Sequence, residues 1–167
     1  MPRPRLVVLL SGGGRTLLNL LSAIGQGRLD AEVVQVISSR RDAAGVERAR
    51  AAGLEVEVLR PRDFPDHAAF AAEQTRRILA ARPDLVVMAG YLVHYPVPAE
   101  LQGRILNIHP ALLPRHGGQG LYGERVHAAV LSAGDRESGC TVHVVDDEYD
   151  HGPVVAQRRV PVLPGDT

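Results

Sequence analysis

Residues 6–21 read LVVLLSGGGRTLLNLL. Leu6 to Leu10 is an unbroken apolar run with β-branched residues, and it stops at Ser11-Gly12-Gly13-Gly14. A run without polar alternation is what a strand buried on both faces shows, as in a parallel sheet covered by helices. Leu17, Leu18, Leu20, Leu21 and Ile24 then recur at helical spacing. Strand, glycine turn and helix in that order form the opening unit of an open α/β sheet.

The alternation continues outward from this unit. Val33 to Ile37 predicts a second strand. Asp42 is placed to cap a helix from about Ala43 to Ala52, closed by Gly53. Glu55 to Leu59 reads as a short strand, and Asp66 can cap a helix reaching about Ala81, with Phe70 and Ile78 facing inward. Leu85 to Ala89 is the fourth strand, and Gly103 to His109 contains the fifth. Glu124 to Ala133 predicts a helix; Cys140 to Val145 and Val154 to Val160 predict two strands. Only Asp146 to Pro153 joins those last two, which permits a hairpin and forbids a right-handed crossover. The expected fold is α/β: a doubly wound, mostly parallel sheet flanked by helices, with an antiparallel C-terminal hairpin. At 167 residues the chain suits a single domain with a real core.

Composition removes several chemistries. All 19 basic residues are arginine, so Schiff-base lysine enzymes and lysine-dependent P-loop kinases are excluded. The 19 acids balance them, and a formal charge of zero gives no reason to expect nucleic acid or an acidic membrane as partner. Cys140 is the only thiol, so no intrachain disulfide forms, and a cytoplasmic setting is expected. No apolar segment reaches the ~18 residues of a membrane span.

Ser11 to Thr16 places glycines where a strand gives way to a helix. Backbone N–H groups at such a turn favour an anion, with Thr16 adding a hydroxyl and Arg15 a charge. The plainer reading is a tight turn that needs glycine. A dinucleotide site fits poorly: the last glycine of G-x-G-x-x-G would fall on Leu17, and the second strand ends in Ser38-Ser39-Arg40-Arg41 rather than an acid. Arg40 or Arg41 keeps a 2′-phosphate of NADP open, but one small phosphate suits the loop better.

Asn107 and His109 stand two apart on a strand that Pro110 ends. Both therefore leave one face at the strand's C-terminal end, where open α/β sheets bind ligands. An amide beside an imidazole can clamp an oxyanion, and imidazole titrates where proton transfer is useful. The alternative is a buried pair satisfied by loop carbonyls. The linker DDEYDHG (146–152) supplies carboxylates, and one beside His109 would favour its charged form. For Asp146, Asp147 and Glu148 an exposed turn is the simpler expectation. His143 alternates with apolar residues and reads as core. The seven histidines contain no H-x-H or H-x-x-x-H pair, so no metal site is expected.

Four stretches, SGGGRTLLNL (11–20), NIHPALLP (107–114), ESGCTVHVVDDEYDHGPVVAQ (137–157) and VPVLPGDT (160–167), occur in the order seen in the phosphoribosylglycinamide formyltransferase family, and the chain resembles that family over nearly its whole length. The resemblance implies formyl transfer from 10-formyltetrahydrofolate, as co-substrate, to the amine of glycinamide ribonucleotide in purine biosynthesis, without a metal and as a monomer or homodimer. It implies catalytic roles for Asn107, His109 and Asp150 and a substrate-phosphate loop of Gly13, Gly14, Arg15 and Thr16. It further implies folate contacts at Leu92, Val93, His94 and Tyr95, within AGYLVHY (89–95), and at Asp146 and Asp147. His67 stands where many members carry Arg, and is the candidate there. A cis peptide within Leu112-Leu113-Pro114 is also implied.

Two departures bear on this. Many members have Met-Arg where this chain has Leu92-Val93, so folate contacts there would rest on backbone. The family continues past Gly165-Asp166-Thr167 into a C-terminal helix, so a truncated single catalytic domain is expected. Three other readings remain: a 10-formyltetrahydrofolate hydrolase using water as acceptor, a sugar or methionyl-tRNA formyltransferase, and a non-catalytic phosphate-binding α/β module.

Overall fold

A computed structural model describes residues 2–167, which divide into two compact units, one up to Pro98 and the other Ala99–Thr167. The first unit contains β1 (Arg5–Leu10), α1 (Arg15–Gly25), β2 (Glu32–Ser38), α2 (Ala44–Ala51), β3 (Val56–Val58), α3 (His67–Ala80) and β4 (Leu85–Met88). Its strands pair in parallel in the order β3-β2-β1-β4. Val7, Val8, Leu9 and Leu10 are fully buried, as a central strand covered on both faces requires. Val8 and Leu10 share a core cluster with Leu17 of α1, Val36 of β2, and Val46 and Ala49 of α2. Burying one such side chain is worth about 1.5–3 kcal/mol, so this cluster holds α1 and α2 to the strands.

The second unit contains β5 (Ile105–His109), α4 (Glu124–Ser132), β6 (Glu137–Val144) and β7 (Val154–Pro161). The β6–β7 hairpin is antiparallel, as its short linker demands, and β5 also runs antiparallel to β6. The fold class read from the sequence is met: parallel strands joined by helices first, antiparallel strands last. Leu113–Pro114 is cis, as the resemblance implied.

Two local expectations need correction. Asp42 does not cap α2: its carboxylate takes two hydrogen bonds from Arg40 at 3.2 and 2.8 Å, and Ala43 occupies the N-cap without a side-chain bond. Strand β6 begins at Glu137, three residues before the predicted Cys140. Within this added stretch Gly139 lets β7 approach: a Cβ at this position would lie 2.0 Å from the Arg158 carbonyl oxygen.

Asp66 caps α3 as expected, accepting the Ala69 N–H at 2.8 Å. Replacing it leaves that donor to water, so Asp66→Ala should cost about 1 kcal/mol in urea unfolding without altering the fold.

Candidate functional site

Three predicted residues of the second unit come together. Asn107 and His109 lie on one face of β5, and Asp150 reaches them from the β6–β7 linker. Asp150 Oδ2 lies 3.3 Å from His109 Nδ1 and accepts the Gly118 N–H at 3.1 Å. Its Oδ1 accepts from Asn107 Nδ2 at 3.3 Å and lies 3.5 Å from His143 Nε2. Burial alone would raise the pKa of this carboxyl; hydrogen bonds from His109, His143 and the Gly118 N–H outweigh it and hold Asp150 well below the usual carboxylate range. Asp150 is thus a half-buried anion that polar neighbours stabilise.

His109 is 3% exposed. Its Nε2 donates to the His116 carbonyl oxygen at 2.7 Å, while Nδ1 faces Asp150. Both ring nitrogens face acceptors, an arrangement fully satisfied by a ring carrying two N–H groups. His116 is fixed in turn: its Nε2 donates to Asp135 Oδ2 at 2.7 Å, and Arg115 binds the same carboxylate at 2.6 Å. Asp150 (φ 55°) and His116 (φ 57°) both occupy the left-handed region, which is uncommon for residues with a side chain. Such residues cluster where surrounding contacts impose a functional geometry.

The sequence reading placed His143 in the core, and it is 1% exposed. What that reading missed is its partner. His143 is the cross-strand neighbour of Asn107, and its Nε2 lies 3.0 Å from Asn107 Nδ2. The signal was the alternation of β6, but the partner depends on the β5–β6 register, which no local pattern encodes. The carbonyl of His116 and the N–H of Gly118 were missed for a similar reason, because backbone atoms carry no residue-type signal.

Asp146 and Asp147 do not join this group in the same way. Asp146 accepts from His151 Nδ1 at 2.8 Å and from the Glu148 N–H at 3.0 Å, which closes the linker on itself. Asp147 is exposed.

The first unit carries the remaining candidates. Gly14 is the N-cap of α1 at φ 72°, and a Cβ there would lie 2.7 Å from the Gly45 Cα. Glycine is therefore needed at this position on two grounds, conformation and space. Gly45 donates its N–H to the Gly12 carbonyl at 3.0 Å, and Arg48 donates to the Gly13 carbonyl, so the loop is braced by α2. No side chain caps α1, and no protein acceptor meets the N–H groups of Arg15, Thr16 and Leu17 among the described residues. These donors, with the helix dipole behind them, suit an anion.

His67 opens α3 and donates from Nε2 to the His94 carbonyl at 2.9 Å, with its ring 6.1 Å from that of His94. Two candidates far apart in sequence are thus neighbours. Leu92 is 45% exposed and donates its N–H to Ser11 Oγ at 2.9 Å, and Val93 is half-buried. Tyr95 differs from its neighbours: it is buried, and its hydroxyl bonds Thr75 Oγ1 at 2.7 Å.

A parallel α/β unit followed by antiparallel strands, carrying a charged Asn-His-Asp network on the fifth strand and the linker before the seventh, defines a class. The formyl transferase family model matches residues 4–167, and the chain belongs to that family. Its relatives are more particular. The phosphoribosylglycinamide formyltransferase of Escherichia coli is 38% identical over 97% of this chain and 75% of its own length. The trifunctional purine biosynthetic protein adenosine-3 of Drosophila pseudoobscura is 42% identical over 99% of this chain, which spans only 12% of that protein. The crystal structure of glycinamide ribonucleotide transformylase 1 from Symbiobacterium toebii superposes with a TM-score of 0.89 at 41% identity, covering 99% of this chain and 76% of that one.

Proposed function

We propose that this chain transfers a formyl group from 10-formyltetrahydrofolate to the amine of glycinamide ribonucleotide. The observation that carries the reading is the meeting of Asn107, His109 and Asp150 in one buried network, supported by relatives that bear this name.

The acceptor brings its own nucleophile, so the absence of lysine is no obstacle. The amine nitrogen attacks the formyl carbon, and the carbonyl oxygen becomes an oxyanion. Asn107 stabilises it by hydrogen bonding. His109 acts through charge, because both of its N–H groups already point at protein acceptors and Asp150 stands against them. The carbon–nitrogen bond to the folate then breaks. The amine proton passes to the departing nitrogen, giving tetrahydrofolate and formylglycinamide ribonucleotide. The loop Gly13, Gly14, Arg15 and Thr16, with the open N–H groups of Arg15, Thr16 and Leu17 at the start of α1, holds the substrate phosphate. His67 and the stretch Leu92 to Tyr95, with Asp146 and Asp147 of the linker, contact the folate, Leu92 and Val93 through their backbone.

Mass spectrometry of a mixture of the protein, 10-formyltetrahydrofolate and glycinamide ribonucleotide tests this. The expected product is the nucleotide heavier by one formyl in place of one hydrogen. Free formate with unmodified nucleotide would establish the hydrolase instead, and no turnover would leave a binding module.

A further inference from the structure

The Asn107 amide presents an unresolved choice of polarity. His143 Nδ1 faces the Val144 carbonyl at 3.0 Å and so carries a hydrogen. With Asn107 Nδ2 3.0 Å from Nε2, that second nitrogen must accept, which requires a neutral ring. The other amide hydrogen goes to Asp150 Oδ1. Both amide hydrogens are then spent on the protein, and Oδ1 meets no protein donor among the described residues. In this orientation Asn107 offers a ligand an acceptor and cannot donate to an oxyanion.

The surroundings of His143 favour the opposite state. Asp150 Oδ1 stands 3.5 Å from Nε2. Burial opposes a charge on the ring, but Asp150, the Val144 carbonyl and the more distant Asp146 outweigh it and raise its pKa above the ordinary value. The strands on either side add no charge, since the register partners of His143 are Asn107 on β5 and Val154 on β7. Once Nε2 carries a proton, Nδ2 opposite it sets N–H against N–H. The two ends of an amide are nearly isosteric, so a half-turn resolves the clash: Oδ1 accepts from Nε2–H and Nδ2 faces outward, at the cost of the Nδ2–H bond to Asp150 Oδ1, whose charge the protonated His143 ring at 3.5 Å then balances.

We propose that His143 decides which end of the Asn107 amide meets the ligand, turning Nδ2–H outward when Nε2 is protonated and Oδ1 outward when it is not. This rests on the formyl-transfer reading for its consequence and not for its test. His143 is a positioning residue: it touches no reacting atom, and it makes Asn107 a donor during oxyanion formation. The donor form prevails below the pKa of His143 and is lost as pH rises through it.

The chain contains two asparagines, Asn19 and Asn107, so selective 15N-Asn labelling gives two side-chain amide pairs. The Asn107 pair should shift with pH at the midpoint of the His143 ring signals, and Asn19 should not follow. In His143→Gln that shift should vanish. In turnover, kcat of the unmodified protein should fall on the alkaline side at the same midpoint. His143→Gln should flatten that limb and lower kcat by less than the ~10² lost with a whole oxyanion donor, with KM little changed. His143→Asn serves if the Gln variant does not fold, and the titration of the unmodified protein needs neither. An Asn107 amide that ignores the His143 midpoint, or that still titrates in a folded His143 variant, overturns the proposal. A protein without turnover removes the formyl-transfer reading and leaves the amide titration decisive for His143.

Discussion

Asp150→Asn should reduce kcat for formyl transfer roughly 10³-fold while leaving KM for both substrates nearly unchanged. The side chains are close in shape, so the linker need not move, but the charge disappears. Asp150 is the one group that touches Asn107, His109, His143 and the Gly118 N–H together. Without it, His109 Nδ1 and Asn107 Nδ2 lose the anion they both face. A lost transition-state interaction lowers kcat and kcat/KM alike, and urea unfolding of the same preparation, showing the variant folded under assay conditions, separates it from a smaller active fraction. A variant within about tenfold of the unmodified rate would refute the role given to Asp150.

The same carboxylate gives stability a definite pH dependence. Its folded pKa is depressed below the unfolded value of ~3.9. Its contribution is therefore complete above that unfolded value and is lost as pH falls through the folded one. Urea unfolding should show the unmodified protein losing stability on acidification below about pH 4, and Asp150→Asn losing less over the same interval.

Gly152→Ala should be the most damaging single methyl in the molecule's second unit. A Cβ there would lie 1.9 Å from the Val144 carbonyl oxygen and 3.4 Å from the Asp146 nitrogen. These are backbone atoms, so no side chain can move aside. The ladder must open where Val144 donates to the Pro153 carbonyl at 2.9 Å, and the linker that carries Asp150 shifts with it. The expected cost is about 3–5 kcal/mol, the range of a core-disrupting substitution. That corresponds to a Tm lower by roughly 10 °C for a chain of this size, with formyl transfer lost in the surviving folded fraction. Gly25→Ala is the control, since a Cβ there meets nothing within 4 Å. Its thermal transition should stay within about 0.5 kcal/mol of the unmodified protein.

Much of this architecture was legible locally. The run Leu6 to Leu10 announced a strand buried on both faces because a doubly covered strand tolerates no polar alternation. Asp66 announced the start of α3 through its capping chemistry. Asp42 looked equivalent and was not, because Arg40 two residues earlier competes for the carboxylate and wins with two hydrogen bonds. Strand β6 starts three residues before the predicted Cys140 and includes Gly139, a point of close approach that only the position of Arg158 on the facing strand explains. Period and capping act within a few residues, whereas competition and close approach depend on what the chain brings alongside.

The site divides along the same line. The order of residues alone determined that Asn107 and His109 share a face at a strand end, since a strand repeats every two residues and Pro110 closes the ladder. It also determined that glycines precede α1 and that acids fill the last linker. Tertiary structure decided which of those acids meets Asn107 and His109: Asp150 turns inward at φ 55°, while Asp146 closes onto His151 and Asp147 stays exposed. It decided that His143 stands against Asn107, through a register that pairs residues 36 apart in the chain, and that the carbonyl of His116 accepts from His109 Nε2. The physical reason is range: side-chain periodicity is a property of neighbouring peptides, but the partner of a buried hydrogen bond is set by how distant segments pack, and only the folded chain fixes that.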